Sequence, residues 1–127
     1  MTAPALTFFS ADDWRCKHCG ENHTDPKHMA RIDELRRRVG FPIVLSSGYR
    51  CPVHNQAVSS TGPNGPHTRG ASDLLVDRLK AYIVLRVAFE MGFTGIGVKG
   101  HGPSRFVHLD DLPNDEGQPR PTVWSYP

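Results

Sequence analysis

The chain has 127 residues, which fits one domain because single domains commonly run to about 100 to 150 residues. A hydrophobic fraction of 38% and a charged fraction of 22% are ordinary for a protein that buries a core in water. The formal net charge of +2 argues against nucleic acid as a partner, because 13 acidic residues nearly balance 15 basic ones.

The N-terminal stretch MTAPALTFFSADDW lacks the features of a secretory signal. No basic residue precedes its apolar part, and Asp12 and Asp13 interrupt that part early. No segment approaches the roughly 20 apolar residues that span a bilayer. We therefore expect a soluble chain with no signal peptide and no membrane partner.

The first predicted element is a helix. Asp25 followed by Pro26 is typical of a helix start, and apolar residues then recur at helical spacing as far as Val39. Gly40 ends this helix. The next run, residues 41–45 (FPIVL), is apolar and contains β-branched residues, so it predicts a buried strand that opens onto a loop.

A long loop is predicted over residues 46–70, where Ser, Gly, Pro and Asn are frequent. Residues 52–58 are expected to form a helical turn within it. Unstructured loops of this length are uncommon in compact domains unless they are functional. We therefore expect the loop to carry part of the functional site.

The second half of the chain predicts strands around one helix. Residues 71–76 are predicted as a strand, and residues 93–98 and 105–109 as a hairpin, because the last two runs lie close together in the sequence. Between the first of these strands and the hairpin, a helix is predicted to begin at Asp77. Its apolar face is expected to consist of Leu79, Ile83, Val87 and Met91. The proline-rich tail, residues 113–127, is predicted to be irregular, with anchors at Val123, Trp124 and Tyr126.

Three side chains from different parts of the chain suggest a metal site. His67 lies near the end of the long loop, Asp73 lies within the apolar run ASDLLV, and His108 lies within RFVHLDD. A polar or charged side chain in a buried strand needs a partner, and a metal ion supplies one. Two imidazoles and a carboxylate form the ligand set of a catalytic zinc, which keeps its fourth position for water.

The sequence around these residues contains motifs in a fixed order along most of the chain. They are SSGYR at 46–50, Asn55, GPHTRGASD at 65–73, FVHLD at 106–110 and VWSY at 123–126. In this order they resemble the zinc D-Ala-D-Ala carboxypeptidase family of metallopeptidases. That family includes D-Ala-D-Ala carboxypeptidases, D-Ala-D-Ala dipeptidases and phage endolysins that cut L-Ala-D-Glu bonds. The chain is most similar to the short single-domain phage members.

The resemblance implies an α+β fold of the hedgehog/DD-peptidase type as a single domain over residues 1–127, with a small antiparallel sheet that carries the metal site and helices packed against it. It implies Zn²⁺ as cofactor and His67, Asp73 and His108 as its ligands. The implied activity is that of a zinc metallopeptidase that cleaves D-amino-acid-containing stem peptides of bacterial peptidoglycan, as a D-Ala-D-Ala carboxypeptidase or an L-Ala-D-Glu-type endopeptidase. We expect a monomer of phage or prophage origin that is made in the cytoplasm and reaches the cell wall by phage-type release or on the virion.

By the same resemblance, Arg50 binds or polarises the substrate carbonyl or carboxylate, a task that suits a guanidinium fork. A structural salt bridge within the loop is the alternative role for Arg50. Ser47, Tyr49 and Asn55 are the other candidate substrate-binding residues. Ser47 and Tyr49 are expected to position the loop rather than to react.

One departure from the family pattern concerns the ligand spacing. Asp73 follows His67 by six residues, where the family usually has about seven. A slip of one residue along a strand turns a side chain to the other face, unless the preceding turn absorbs it. Asp77 is therefore the alternative ligand.

A second departure concerns the general base. Arg105 and Phe106 stand where several family members have a proton-accepting side chain before the last ligand, and neither takes a proton from water. Asp110 and His101 are the remaining candidates. Asp110 has an alternative role, which is to orient His108 through the other ring nitrogen.

The sequence contains three cysteines, Cys16, Cys19 and Cys51, and His23 stands close to the first two. Three thiols and an imidazole suit a structural zinc site, but a lone C-x-x-C is a weak signal. A disulfide to Cys51 and reduced structural thiols are the alternatives, and an odd number of cysteines cannot all pair within one chain.

The alternative to an enzyme is a non-catalytic phage structural or cell-wall-binding module that keeps the fold. The missing carboxylate before His108 favours this module. Retention of the three ligands and of Arg50 favours the enzyme.

Overall fold

A computed structural model describes residues 5–62 and 64–127. Residues 1–4 of the N-terminal stretch, and Pro63 of the predicted long loop, lie outside the described residues. The helices are a 3₁₀ helix (Ala11–Trp14), α1 (Pro26–Val39), α2 (Pro52–Val58), α3 (Pro66–Arg69) and α4 (Arg78–Met91). The strands are β1 (Leu45–Ser47), β2 (Ala71–Leu74), β3 (Gly95–Lys99), β4 (Phe106–Asp110) and β5 (Thr122–Ser125).

Within the described residues these five strands form one sheet, in the order β1-β2-β4-β3-β5. Neighbouring strands are antiparallel except β3 and β5, which are parallel. The prediction of an α+β fold with a small antiparallel sheet is confirmed. None of the helices in residues 5–62 and 64–127 is long and apolar enough to cross a membrane.

Helix α1 begins and ends where the sequence predicts. The Asp25 carboxylate accepts a hydrogen bond from the Lys27 amide at 2.9 Å, and Pro26 occupies the first turn. Gly40 ends the helix with a φ of 80°, in the left-handed region that glycine adopts readily. Helix α1 then packs against α4.

Alternation along the strands gives the sheet two different faces. The side chains on one face pack against α1 and α4 and form the hydrophobic core. Every second residue of each strand lies on the other face, which points away from the helices. The strand residues of the core face, each at most 1% exposed, are Leu74, Ile96, Val107 and Leu109. The opposite face is therefore free to carry polar groups.

The predicted apolar face of α4 is partly wrong. Leu79 is 70% exposed, whereas Val84, Val87 and Ala88 are buried. Each step of four residues turns the side chain by about 40° around the helix axis. The predicted row Leu79, Ile83, Val87 and Met91 therefore winds around the helix, and Leu79 lies away from the core that Val87 joins.

The strand bounds also differ from the prediction. Only Leu45 of the run 41–45 belongs to β1, which continues to Ser47. Pro42 has no N–H to donate, and Val44 is 63% exposed, so the run is not a buried strand. The predicted strand 71–76 stops at residue 74, and the two hairpin strands are present with bounds shifted by one or two residues.

Three elements of the described residues were not expected, the 3₁₀ helix Ala11–Trp14, α3 and β5. Helix α3 contains His67, so this residue lies on a short helix and not in a loop, while the turn predicted at 52–58 is confirmed as α2. Strand β5 lies in the tail that was predicted to be irregular. Its parallel pairing with β3 depends on contacts distant in sequence, which no local pattern indicates.

Candidate metal centre

Two neighbouring strands, β2 and β4, place two of the predicted metal ligands side by side. Asp73 of β2 lies directly opposite His108 of β4 in the antiparallel register, so both side chains lie on the face away from the core. The turn before β2 accommodates the short spacing from His67, because Gly70 has a φ of 139° that costs glycine little. Asp77, the alternative ligand, lies elsewhere: its side chain is 51% exposed and faces Arg105 at 3.8 Å.

His67 completes the cluster from helix α3. His67 Nε2 lies 3.2 Å from Asp73 Oδ1, and His108 Nδ1 lies 3.1 Å from the same oxygen. All three residues are buried: His67 is 5% exposed, Asp73 4% and His108 1%. All three ligand atoms lie within 4.8 Å of one another, close enough to hold one metal ion.

The outer ring nitrogens of both histidines have protein partners. His67 Nδ1 donates to the Gly48 carbonyl at 2.7 Å, and His108 Nε2 donates to the Asp110 carboxylate at 2.8 Å. A proton on each outer nitrogen leaves a lone pair on each inner nitrogen, directed at the Asp73 carboxylate. Lone pairs and a carboxylate repel one another unless a cation lies between them, so the residues present fit a divalent metal.

The electrostatics of the cluster also suit a cation. Burial lowers the pKa of His67, which favours the neutral ligand form. Burial acts in the same direction on His108, but the Asp110 and Asp73 carboxylates outweigh it and raise the pKa of that ring, because a second proton on Nδ1 supplies the positive charge that a metal would otherwise bring. Burial raises the pKa of Asp73, yet the two histidines more than offset it and hold that pKa well below the usual range. Asp73 is therefore a carboxylate at neutral pH.

Asp110 is held by an arginine that the sequence did not single out. Arg120 donates from Nε to Asp110 Oδ1 at 2.9 Å and from Nη2 to Asp110 Oδ2 at 2.8 Å. The two side chains are 5% and 0% exposed. Burial raises the pKa of Asp110, but His108 and Arg120 outweigh it and lower this pKa well below the usual range. Asp110 thus lies behind His108, on the side opposite Asp73, with both oxygens engaged.

Strand β5 closes one side of the centre. The Trp124 ring centroid lies 4.9 Å from that of His108. A Cβ at Gly97 would lie 2.4 Å from Trp124 Nε1, so only glycine leaves room for this ring on the site face of β3. Burial, together with the charge of Asp73, raises the pKa of Tyr126 to about 12, which keeps its phenol protonated.

Arg50 reaches the centre from the loop after β1. Its Nε donates to Ser47 Oγ at 3.1 Å and its Nη1 donates to Asn55 Oδ1 at 3.2 Å. Its Nη2 lies 3.6 Å from Asp73 Oδ2. Asn55 is buried and also donates from Nδ2 to Thr61 Oγ1 at 2.9 Å. Ser47 and Asn55 therefore orient the guanidinium, and its remaining nitrogen faces the metal cluster.

Two sequence candidates do not join this group. The Tyr49 ring packs edge-on against His23, with centroids 5.1 Å apart, and its amide donates to the Trp14 carbonyl at 2.7 Å. His101 is exposed in the turn after β3, where its Nε2 lies 3.2 Å from the Tyr126 carbonyl. Tyr49 thus packs between the loop after β1 and the N-terminal segment. His101 lies at the surface, next to the residue that follows β5.

A family model described as Peptidase M15 matches residues 9–110, a range that contains Arg50 and all three side chains of the metal cluster. The chain belongs to the peptidase M15 family. This match confirms the family resemblance that the motifs indicated. M15 peptidases are zinc-dependent metallopeptidases that act on peptidoglycan-type peptides. No curated protein and no solved structure matches the chain.

The M15 match ends at Asp110, before the residues that cover that carboxylate. Arg120 was missed because it stands in a Pro-rich segment with no motif. Trp124 and Tyr126 were predicted only as anchors of the tail. The alternation of Trp124 and Tyr126 with smaller residues is the one local signal of a strand there.

Proposed function

We propose that this M15 peptidase binds Zn²⁺ through His67 Nε2, the Asp73 carboxylate and His108 Nδ1, and that it cleaves D-amino-acid-containing stem peptides of bacterial peptidoglycan. The observation that carries the proposal is the convergence of two imidazole nitrogens on one buried carboxylate oxygen, with both outer nitrogens already hydrogen-bonded. Zinc bound in such an open three-ligand site lowers the pKa of a coordinated water and polarises a carbonyl.

Arg50 is proposed to bind the substrate. Its Nε and Nη1 are held by Ser47 and Asn55, which leaves Nη2 directed at the cluster, 3.6 Å from Asp73 Oδ2. Its side chain is 17% exposed, so a ligand that enters the site can reach it. A guanidinium fixed in this way steadies negative charge on a substrate carboxylate or on the carbonyl under attack.

Asp110 is proposed to orient His108 rather than to act as general base. Both of its oxygens accept hydrogen bonds from Arg120, and one also accepts from His108. A carboxylate with a strongly lowered pKa and no free lone pair toward substrate is a poor proton acceptor. His101, the other predicted base, is exposed in the turn after β3 with its Nε2 3.2 Å from the Tyr126 carbonyl, so its position does not support a role in proton transfer at the cluster.

The engagement of Asp110 also favours one rival function. Without a free carboxylate beside His108, the same fold suits a cell-wall-binding module that keeps the metal but does not hydrolyse peptides. The enzyme is the better-supported reading, because the chain keeps the three side chains of an open metal cluster as well as Arg50, and its family is one of metallopeptidases.

The test is incubation of zinc-loaded protein with purified peptidoglycan, followed by mass spectrometry of the released fragments. The proposal expects new peptide termini that depend on zinc and are absent with His108→Ala. The bond that is cut distinguishes a carboxypeptidase from an endopeptidase. Binding to peptidoglycan without any cleaved bond would favour the module.

A further inference from the structure

A second group of metal-ligating side chains lies apart from the sheet. The thiol sulfurs of Cys16, Cys19 and Cys51 all lie within 4.8 Å of one another, and none of the three forms a disulfide. They come from two segments: the turn that follows the 3₁₀ helix, and the residue that precedes α2. Three thiols brought together from separate segments call for a common partner.

Backbone hydrogen bonds bring the three cysteines together. The Gly20 amide donates to the Cys16 carbonyl at 2.8 Å, and Gly20 has a φ of 79°, so the chain turns tightly and brings Cys19 back toward Cys16. The Cys51 amide donates to Cys16 Sγ at 3.4 Å, which joins the second segment to the first.

An imidazole lies beside one of the three thiols. His18 Nδ1 is 3.4 Å from Cys51 Sγ. The His18 ring stacks on His54, with centroids 5.9 Å apart and planes within 4° of parallel.

We propose that these residues form a second, structural zinc site, with Cys16, Cys19, Cys51 and His18 Nδ1 as its four ligands. Tetrahedral zinc with Zn–S bonds of about 2.3 Å places its sulfurs about 3.8 Å apart, which the clustered thiols reach with small movements. A disulfide would join only two of the three thiols and leave the third, and the adjacent imidazole, without a role. Three thiolates and one histidine make a closed site that leaves no position for substrate.

This site joins the N-terminal segment to the loop that carries Arg50. Cys51 follows Arg50 directly, and the same contact includes the Tyr49 amide on the Trp14 carbonyl at 2.7 Å and Lys17 Nζ on the Ser46 carbonyl at 2.6 Å. The bound metal therefore holds in place the loop from which Arg50 reaches the catalytic cluster.

Cobalt substitution tests the site on the full-length chain. Metal-free protein, kept reduced, is titrated with Co²⁺ and its absorption is recorded. Thiolate ligands give an intense charge-transfer band in the near ultraviolet that a His/Asp site does not give. If the cysteines bind the metal, this band is expected in the parent chain. It is also expected in the double variant His67→Ala/His108→Ala, which lacks two of the three ligands of the sheet site.

Three variants assign the ligands. Cys19 is exposed, so Cys19→Ser is expected to fold, to lose the band and to lose about one equivalent of zinc. His18→Gln is expected to weaken zinc binding at this site, whereas His54→Gln, which alters only the stacked neighbour, is the control that retains it. Circular dichroism checks the fold of each variant.

Two results would overturn the site: no thiolate band in the parent, or three thiols that react with a thiol reagent equally fast with and without zinc. A loss of zinc in His54→Gln and not in His18→Gln would overturn the assignment of His18. All of these readouts are independent of hydrolysis, so their failure is distinct from failure of the proposed peptidase activity.

Discussion

The two candidate metal sites of this peptidase are built in contrasting ways. In the sheet site, strand register places Asp73 opposite His108, and hydrogen bonds fix the outer nitrogens of both histidines. In the cysteine site the ligands lie in turns, and burial ranges from Cys16 at 2% exposed to the exposed Cys19. The fold therefore preorganises the sheet site, whereas we expect the cysteine site to depend more on a bound metal for its order. Loss of metal should abolish chemistry at the first and weaken structure at the second.

His108→Ala sharpens this contrast most strongly. The variant removes one ligand from the sheet site, so we expect zinc loss there and hydrolysis of stem peptides reduced to the background rate. The measurement is zinc content by mass spectrometry together with the rate of peptide release. Tyr82→Ala, which truncates a ring that is 69% exposed on α4, is the control and should behave as the parent. Full zinc content in His108→Ala would contradict the ligand assignment.

Arg50→Lys probes the substrate side of the sheet site. A lysine keeps the charge but loses the fork that Ser47 and Asn55 hold, so turnover should fall roughly 10²- to 10³-fold while zinc content and fold persist. The measurement is kcat and KM on a stem peptide, with Arg86→Lys on α4 as an exposed control. Unchanged turnover would assign Arg50 to structure alone.

Asp110→Asn tests whether this carboxylate orients His108. Zinc affinity should weaken by roughly 10- to 100-fold, and excess zinc should restore turnover. A general base behaves differently, because its loss leaves affinity intact and lowers turnover at any zinc concentration. Zinc titration of activity separates these outcomes, with Asp115→Asn on the surface as control.

Cys19→Ser should have the smallest effect on turnover and a larger one on stability. Loss of the structural metal loosens the loop that carries Arg50, so turnover should fall less than in Arg50→Lys. The melting temperature should fall below that of the parent, because a structural metal stabilises the folded chain and the variant breaks its ligand set. Thermal unfolding followed by circular dichroism compares this variant with the parent. A melting temperature equal to that of the parent would contradict a structural role.

The contrast between the sites also explains what the sequence could predict. His67, Asp73 and His108 were found because charged and polar side chains within apolar runs are a local signal, and the motifs place them in order. The contact of Arg120 with Asp110 was not found, because it depends on the path of a Pro-rich tail that no periodicity describes. The pairing of β5 with β3 was missed for the same reason.

The position of Cys51 relative to the other two cysteines also required the structure. Spacing along the chain places Cys16 near Cys19, but it says nothing about where Cys51 lies. The fold brings this third cysteine beside them through the contact between the N-terminal segment and the loop after β1. The side chain of His18 reaches Cys51 only in that arrangement.

Anomalous diffraction at the zinc absorption edge, from crystals grown with zinc, is the most direct test of the sheet site. We expect a peak about 2.0 to 2.2 Å from His67 Nε2, an Asp73 carboxylate oxygen and His108 Nδ1. A second peak, among the three cysteines, would mark the structural zinc site and is judged separately. A zinc-loaded crystal with no peak between His67, Asp73 and His108 would contradict the assignment of these three ligands.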